Sequence, residues 1–270
     1  MKVMKVRCRV ALMVVATVML VASIAVRGFA AETDDRVESS AKKSYVYQTY
    51  LKDDAITIAS KGGIVTLTGT VAEESHKSLA QETVASLPGV KSVDNQLKVK
   101  GERAPENSDA RVSMNVKASL LFHRNLSLTK TDVQVKDGVV TLRGKAESTA
   151  QKNLTTEYVK DVEGVKAVTN EMTVAKTPRN PAKKTMGEKL GDVGESIDDA
   201  SITALVKMTL MYHRSTSALH TKVETSNGVV TLGGTAKNAS EKNLVTKYVQ
   251  DVYGVHSVVN DMTIIAAPKS

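Results

Sequence analysis

The stretch Gly138-Val139-Val140-Thr141-Leu142-Arg143-Gly144 decides the fold of this chain, because closely similar stretches occur at residues 63–69 and 228–234. A Gly-Val pair follows the first glycine of each stretch after 26 positions, and an asparagine follows it after 32 positions (Asn95, Asn170 and Asn260). Two offsets that stay constant over three copies indicate an array of one small domain. Such units hold roughly 60 to 70 residues and are still able to fold alone.

The second copy shows the order of elements within one module. Apolar residues recur every four positions after Asp109, which predicts a helix that begins near this capping residue (Val112, Val116 and Leu120). Alternating apolar residues on both sides of Asp137-Gly138 predict a β-hairpin whose two turn residues adopt positive φ. A second helix is expected from about residue 148 to Gly164, and a period-two strand closes the copy at 168–174.

This order of helix, strand, strand, helix and strand predicts an α+β fold of three tandem small two-layer modules. The hairpin strands pair antiparallel, and a helical crossover makes the second and third strands parallel. Two helices are therefore expected on one face of each three-stranded mixed sheet. The structural turn glycines are Gly63, Gly138 and Gly228. In the first copy the helix is placed around residues 45–50, about four residues closer to its hairpin, so it is expected to sit differently or to be reduced.

Repeats and composition together predict the domain boundaries. The three modules are assigned to residues 39–100, 109–175 and 196–266, and residues 101–108 form a short linker. Residues 176–195 contain two prolines and three glycines. Because ordinary loops in compact domains are much shorter, this second stretch is predicted to be a flexible linker.

Residues 1–30 have the pattern of an export signal. Four basic residues precede an uncharged run of 17 residues at 10–26, and small residues surround Ala30, after which cleavage is expected. Cleavage after Ala31 is one alternative. Retention of the run as an anchor helix is another, since 17 residues lie at the lower limit for spanning a bilayer. The pattern predicts a periplasmic protein, with membrane association left open.

Removal of the signal lowers the net positive charge of the chain. Five of the 37 Lys and Arg residues and none of the 29 acidic residues leave with it, so the net charge falls from +8 to +3. The basic character that would favour nucleic acid is therefore mostly a property of the signal. Cys8 leaves as well, which excludes a disulfide framework in the mature chain.

No catalytic pattern accompanies the repeat. The five histidines form no His-x-x-x-His motif, no Gly-x-Ser-x-Gly elbow is present, and the repeated glycines flank a strand instead of forming a phosphate loop. The sequence therefore predicts a protein that is not an enzyme and that needs neither a metal nor a cofactor.

One polar pair recurs, His123-Arg124 and His213-Arg214, where the first helix of copies 2 and 3 is expected to end. A structural interpretation is that these cations complement the negative end of the helix dipole. A functional interpretation is an anion site for a phospholipid headgroup. Copy 1 has Lys52-Asp53 after its helix, which argues against a site shared by all three copies.

The repeated Gly-Val-Val-Thr-Leu-x-Gly strand, the Gly-Val pair and the closing Asn-x-hydrophobic-x-hydrophobic strand resemble the BON family, named for bacterial osmotically inducible and nodulation proteins. This resemblance implies a periplasmic or outer-membrane-associated protein that interacts with phospholipid and supports cell-envelope integrity or osmotic stress tolerance. With the recurring His-Arg pair, the expected partner is anionic phospholipid or an envelope protein. Three tethered weak sites would act together on one surface. Two alternatives remain: a sensor that binds a cation or small ligand, and an adaptor that docks envelope proteins through a sheet edge.

Overall fold

The computed structural model describes residues 32–101, 104–105, 108–126, 131–174, 197–216 and 220–265. Module 1 contains α1 (32–43), α2 (Tyr45–Thr49), β1 (Ala55–Lys61), β2 (Ile64–Val71), α3 (Glu74–Ala85), β3 (Ser92–Asn95) and β4 (Lys98–Val99). Module 2 contains α4 (Asp109–Leu121), β5 (Thr131–Lys136), β6 (Val139–Ala146), α5 (Thr149–Lys160), β7 (Ala167–Asn170) and β8 (Thr173–Val174). Module 3 contains α6 (Asp199–Tyr212), β9 (Thr221–Ser226), β10 (Val229–Ala236), α7 (Ala239–Gln250), β11 (Ser257–Asn260) and β12 (Thr263–Ile264).

All three sheets have the same topology. The hairpin strands pair antiparallel, so that Val133 lies opposite Leu142 in module 2. The middle strand pairs in parallel with the closing strand, so that Val140 lies opposite Val168. The buried residues of the middle strand alternate with exposed ones, because one face of the sheet packs under the helices. The predicted α+β fold of three mixed-sheet modules is confirmed.

The recurring asparagine explains why the closing strand is divided into two short segments. Asn170 Oδ1 accepts a hydrogen bond from Met172 N at 3.0 Å, which turns the backbone out of the strand. Its Nδ2 donates to Lys152 O at 2.9 Å and to Thr156 Oγ1 at 2.7 Å in α5. Equivalent bonds are formed in the other modules by Asn95 and Asn260. The side chain thus fixes the closing strand to the second helix.

The first helix of module 1 lies upstream of its predicted position. The segment at 45–50 holds only the five-residue α2, and the helix equivalent to α4 is α1. Asp34 of α1 accepts hydrogen bonds from the two turn amides of its hairpin at 2.7 and 3.1 Å. Asp109 and Asp199 do the same at 2.7–2.9 Å, and each aspartate precedes its turn glycine by 29 positions. Copy 1 is therefore no shorter than the others here, and module 1 begins before residue 39.

Helix α6 lies at the centre of the molecule. Ten of its residues are buried, because it packs on its own sheet and also against α3 of module 1 and α4 of module 2. The cores of modules 1 and 3 form one continuous apolar cluster, which Phe122 of module 2 joins. Asp198 Oδ2 accepts from Tyr45 N at 2.8 Å, and Lys207 Nζ lies 3.1 Å from Glu82 Oε2. Module 3 is therefore held by both of its neighbours.

The predicted export signal, its predicted cleavage site at Ala30 and the predicted linker at 176–195 lie outside the described residues. None of the helices that the structure describes is long and apolar enough to cross a membrane.

Candidate functional site

Each hairpin turn has the geometry that its dipeptide predicts. In module 2, φ is 53° at Asp137 and 80° at Gly138. Both values lie in the left-handed region, which glycine adopts without strain and which Asp and Asn tolerate better than other residues. The other two turns also have positive φ at both central residues (Gly62 and Gly63, Asn227 and Gly228).

The hairpins of modules 1 and 2 end in an exposed apolar side chain with two lysines beside it. Ile64 is 53% exposed, and Lys61 lies opposite it across the hairpin. Lys91 lies over the turn and donates from Nζ to Gly62 O at 3.0 Å. Module 2 repeats this arrangement with Val139, which is 38% exposed and faces Lys136, and with Lys166 against the turn. We name these two groups, Lys61–Ile64–Lys91 and Lys136–Val139–Lys166, the hairpin tips.

Module 3 differs at its hairpin. The corresponding positions are Ser226, a half-buried Val229 and His256, so its hairpin carries no lysine at these three positions. The basic and apolar combination is therefore a property of modules 1 and 2.

The two arginines of the recurring polar pair connect modules 2 and 3. Arg124 N donates to Asp251 O, and Arg214 N donates to Asp161 O, both at 2.9 Å. Because each module makes the same contact to the other, the interface has approximate two-fold symmetry.

The guanidinium groups bind the end of the second helix in the opposite module. Arg124 Nη2 donates to the carbonyl oxygens of Gln250, Val252 and Val255 at 2.6, 3.0 and 2.6 Å. Arg214 donates in the same way to the carbonyl oxygen of Lys160, the last residue of α5, at 2.6 Å and to that of Val165 at 3.1 Å. Unpaired carbonyls and the negative end of the helix dipole both favour a cation at this position. The arginines therefore lie at the end of a helix in the neighbouring module, whereas the structural interpretation placed each pair at the end of its own helix.

The two histidines lie inside the same interface. His123 is 0% exposed and His213 is 1% exposed. Their ring centroids are 5.5 Å apart, and each ring packs 4.1 Å from the tyrosine of its own module, Tyr158 or Tyr248. None of the four imidazole nitrogens has a hydrogen-bond partner among the described residues.

Tyrosine and aspartate side chains complete the contact. Tyr158 Oη donates to Asp251 Oδ2 at 3.0 Å, and Tyr248 Oη donates to Asp161 Oδ2 at 2.9 Å. The other carboxylate oxygens accept from neighbouring side chains, Asn125 for Asp251 and Ser215 for Asp161. We name the set of eight residues the clasp (His123, Arg124, Tyr158, Asp161, His213, Arg214, Tyr248 and Asp251).

Burial sets the protonation states within the clasp. It lowers the pKa of His123 well below its usual value, and the neighbouring His213 lowers it further. Burial lowers the pKa of His213 to about 4, although the Asp161 carboxylate acts in the opposite direction. Burial also raises the pKa of Asp251, against the hydrogen bond from Tyr158. Both imidazoles are therefore neutral near pH 7.

The predicted lipid-binding residues thus have different environments. His123 and His213 lie away from solvent, whereas the Arg214 side chain is 50% exposed and Arg124 is also exposed. Lipid binding by these four residues stays a prediction.

Sequence reasoning missed the Tyr and Asp members of the clasp. A signal for them exists, because a Tyr-x-x-Asp spacing occurs at the same offset after the turn glycine in copies 2 and 3, whereas copy 1 has Thr83 and Ser86.

Within the part of the chain that the structure describes, no three His, Cys, Asp or Glu side chains are arranged to hold a metal ion.

Comparison with known proteins gives related sequences. The model of the BON domain matches residues 33–101, 108–176 and 198–266. The chain is 32% identical over 154 residues to Osmotically-inducible protein Y of Escherichia coli (strain K12), a match that covers 57% of this chain and 71% of that protein. It is 29% identical over 117 residues to an uncharacterized protein in the gshII 5'region of Anaplasma centrale, covering 42% of this chain and 78% of that protein.

Among solved structures, the chain is similar to CdsD, a structural protein of the type III secretion system of Chlamydia trachomatis. The match has 17% sequence identity and covers 82% of this chain and 91% of that chain. Its TM-score is 0.23.

Proposed function

Because this chain belongs to the BON domain family, we propose that it is a non-enzymatic periplasmic protein that contacts anionic phospholipid and supports the cell envelope under osmotic stress. The name of the Escherichia coli relative supports the link to osmotic stress. The export-signal pattern of residues 1–30 supports the periplasmic location.

The observation that carries the phospholipid part of the proposal is the composition of the hairpin tips. A lysine near an anionic membrane surface contributes about 1 kcal/mol of attraction. The exposed Ile64 and Val139 lie next to these lysines and can enter the apolar boundary of the headgroup layer. An apolar side chain with cations beside it can contact a membrane surface both by charge attraction and by burial of apolar area.

Charge distribution favours module 2 as the main contact. Residues 108–176 hold 11 Lys and Arg against 8 Asp and Glu. The other two matched ranges are balanced, with 9 against 9 at 33–101 and 6 against 6 at 198–266. Because the net charge of the mature chain is small, attraction must come from local groups within a Debye length of about 8–10 Å.

The His-Arg pairs remain a second candidate contact. Arg124 and Arg214 use part of their N–H groups on carbonyl oxygens, and their exposed edges can still meet a phosphate. A contact of this kind would not involve the buried imidazoles.

The test is co-sedimentation of residues 31–270 with vesicles of phosphatidylcholine alone or mixed with phosphatidylglycerol, at low and high salt. We expect stronger binding to the anionic vesicles and weaker binding at high salt. The variant K136Q/K166Q should bind less, whereas K117Q/K145Q, which removes the same charge from exposed positions elsewhere in module 2, should bind nearly as wild type.

Two outcomes would contradict parts of the proposal. Equal binding to neutral and anionic vesicles would exclude an electrostatic contact. Equal losses in the two lysine variants would show that net charge, and not the hairpin tip, determines binding. The variant R124Q/R214Q tests the second candidate contact. A loss of binding confined to it, and larger than the loosening of the module 2–3 contact accounts for, would move the site to the rim of the clasp.

A further inference from the structure

The interface between modules 2 and 3 buries two ionisable rings that phospholipid contact does not use. We propose that the His123–His213 pair makes the clasp sensitive to acid, so that protonation of the pair separates module 2 from module 3. This inference concerns the arrangement of the modules and does not depend on the proposed lipid contact.

The His123–His213 pair lies in a buried site that accommodates a positive charge poorly. Both rings are almost completely excluded from solvent, and their centroids are 5.5 Å apart. A buried ionised group without a partner costs several kcal/mol, so a protein changes its protonation or its structure to avoid it. Two charged imidazoles at this distance would also repel each other.

The nearby carboxylates are already engaged. His123 Nδ1 lies 3.5 Å from Asp251 Oδ2, which is beyond a good hydrogen bond, and that oxygen already accepts from Tyr158. Asp161 likewise accepts from Tyr248 and Ser215. A direct hydrogen bond to a new imidazolium would require the His123 ring and the Asp251 carboxylate to move closer than this 3.5 Å separation.

The charged and titratable groups around the pair come from both modules (Tyr158, Asp161 and Arg124 from module 2; Tyr248, Asp251 and Arg214 from module 3). The two arginines oppose protonation of the rings, and the two carboxylates favour it. Burial lowers the pKa of both histidines, and for His213 it outweighs the opposing effect of the Asp161 carboxylate.

The direction of the pH dependence follows from these shifts. In the separated modules the histidines are exposed and titrate near their usual value of about 6.5. In the closed clasp the pKa of His213 is about 4 and that of His123 is also well below its usual value. The open state binds more protons, so the clasp is fully stable above pH 6.5 and weakens as the pH falls toward 4. The raised pKa of Asp251 acts in the opposite direction, as that carboxyl itself takes up a proton.

Opening is expected to be cooperative across the interface. The backbone of His123 bridges to Val252, and the backbone of His213 bridges to Val162, so each histidine is part of the strand-like contact that joins the modules. The arginine and tyrosine bonds extend from the same two segments. Loss of the His123–Val252 bridge is therefore expected to weaken the His213–Val162 bridge as well, and the reverse.

The size of the effect can be stated as a change in the opening equilibrium. Between pH 7.5 and pH 5.0, each histidine with an open-state pKa of about 6.5 and a much lower closed-state pKa increases opening by about 30-fold. Two independent histidines would increase it by roughly 10² to 10³-fold.

Hydrogen exchange of residues 31–270 at these two pH values, corrected for intrinsic exchange rates, measures this opening. The amides that cross the interface report it directly (Arg124, Glu163, Arg214 and Tyr253). Glu171 and Asp261 donate to Leu142 O and Leu232 O within modules 2 and 3, both at 2.8 Å, and serve as internal references. We expect the protection of the crossing amides to fall at least 30-fold at pH 5.0 while the reference amides keep theirs.

Two variants test whether the loss of protection at pH 5.0 is caused by the His123–His213 pair. H123F/H213F keeps aromatic rings at both positions and loses no hydrogen bond from the imidazoles, so its crossing amides should keep their protection at pH 5.0. The control H220Q/H256Q removes two exposed histidines and should respond to acid as wild type does.

Unchanged protection of the wild-type crossing amides at pH 5.0 would overturn the proposal, and this comparison does not depend on whether H123F/H213F folds. An equal fall in the reference amides would also overturn it, because acid would then unfold the modules instead of separating them. An acid response retained in a folded H123F/H213F would assign the sensitivity to other groups.

Discussion

Replacement of Arg124 by glutamine tests whether the two modules are held together by cations bound to helix ends. The change removes a guanidinium whose Nη2 donates to three carbonyl oxygens at 2.6–3.0 Å. A hydrogen bond to a charged group contributes about 1.5–3 kcal/mol, and a cation at a helix C-terminus adds about 0.3–1 kcal/mol. One amino group shared among three acceptors, at an exposed side chain, keeps only part of this sum. We expect the module 2–3 contact to weaken by about 2 kcal/mol.

Hydrogen exchange at pH 7.5 measures this loss as a ratio of amide protection factors between wild type and R124Q. A weakening of 2 kcal/mol corresponds to about a 30-fold fall in the protection of the Glu163 and Arg214 amides, which cross the interface on its other side. The matched control is R143Q. Arg143 pairs with Glu171 at 2.7 Å, its side chain is 49% exposed, and its charge partner lies within module 2. A surface pair of this kind contributes about 0–1 kcal/mol, so the crossing amides should change little.

The comparison can refute the argument in two ways. A fall of less than about threefold in R124Q would mean that the carbonyl contacts add little beyond what water supplies. An equal fall in R143Q would mean that the loss of any positive charge in module 2 loosens the contact, and the geometry at the helix end would then be irrelevant.

Two further variants test the modules themselves. Thermal unfolding should show a larger loss of stability for G138V than for G233A, because φ is 80° at Gly138 and a side chain there would meet Lys166, whereas Gly233 has ordinary φ and space for a methyl group. Equal and small changes would mean that the turn does not need its conformation. Urea unfolding should show N170A to be less stable by about 2–3 kcal/mol, since it leaves strand and helix groups unpaired. N153A, at an exposed position of α5, should differ from wild type by less than about 0.5 kcal/mol, and a similar loss in both variants would contradict the role given to Asn170.

The elements within each module could be predicted because their signals are local. The turn dipeptide at 137–138 specifies positive φ over two residues, and the period-two pattern that follows specifies one buried face. The parallel closing strand follows from the length of the crossover. None of these inferences needs information about a second module.

The first helix of module 1 lies at 32–43 and not at 45–50. Apolar content alone does not mark where this helix begins. The segment at 45–50 is rich in tyrosine, and it packs against module 3 as a short additional helix. The informative residue is Asp34, whose carboxylate binds the turn amides. It precedes its turn glycine by 29 positions, as Asp109 does. An aspartate at the start of a helix is normally interpreted as a helix cap. Its second role becomes visible only when its distance from the turn glycine is compared among the three copies.

The clasp could not be predicted from one module, because its arginine–carbonyl and tyrosine–aspartate hydrogen bonds all join two modules. Periodicity within copy 2 places His123 at the end of a helix, and that position alone fits a dipole interaction or an anion site equally well. A comparison of copies contains more information. The equivalents in copy 1, at the same offsets from its turn glycine, are Gln48, Thr49, Thr83 and Ser86, so all four residue types are replaced together.

A reciprocal contact requires that the His, Arg, Tyr and Asp residues occur together in both partner modules. Each residue must meet its counterpart in the opposite module, so the set is present in copies 2 and 3 and absent from copy 1. A site that each module used alone would place no such constraint on Tyr158 and Asp161, which lie more than 30 positions from His123 in the sequence. Copy 1, which lacks the set, packs on α6 through apolar side chains of α3 instead. The pattern of retention among the copies therefore distinguishes residues that join modules from residues that form a site within each one.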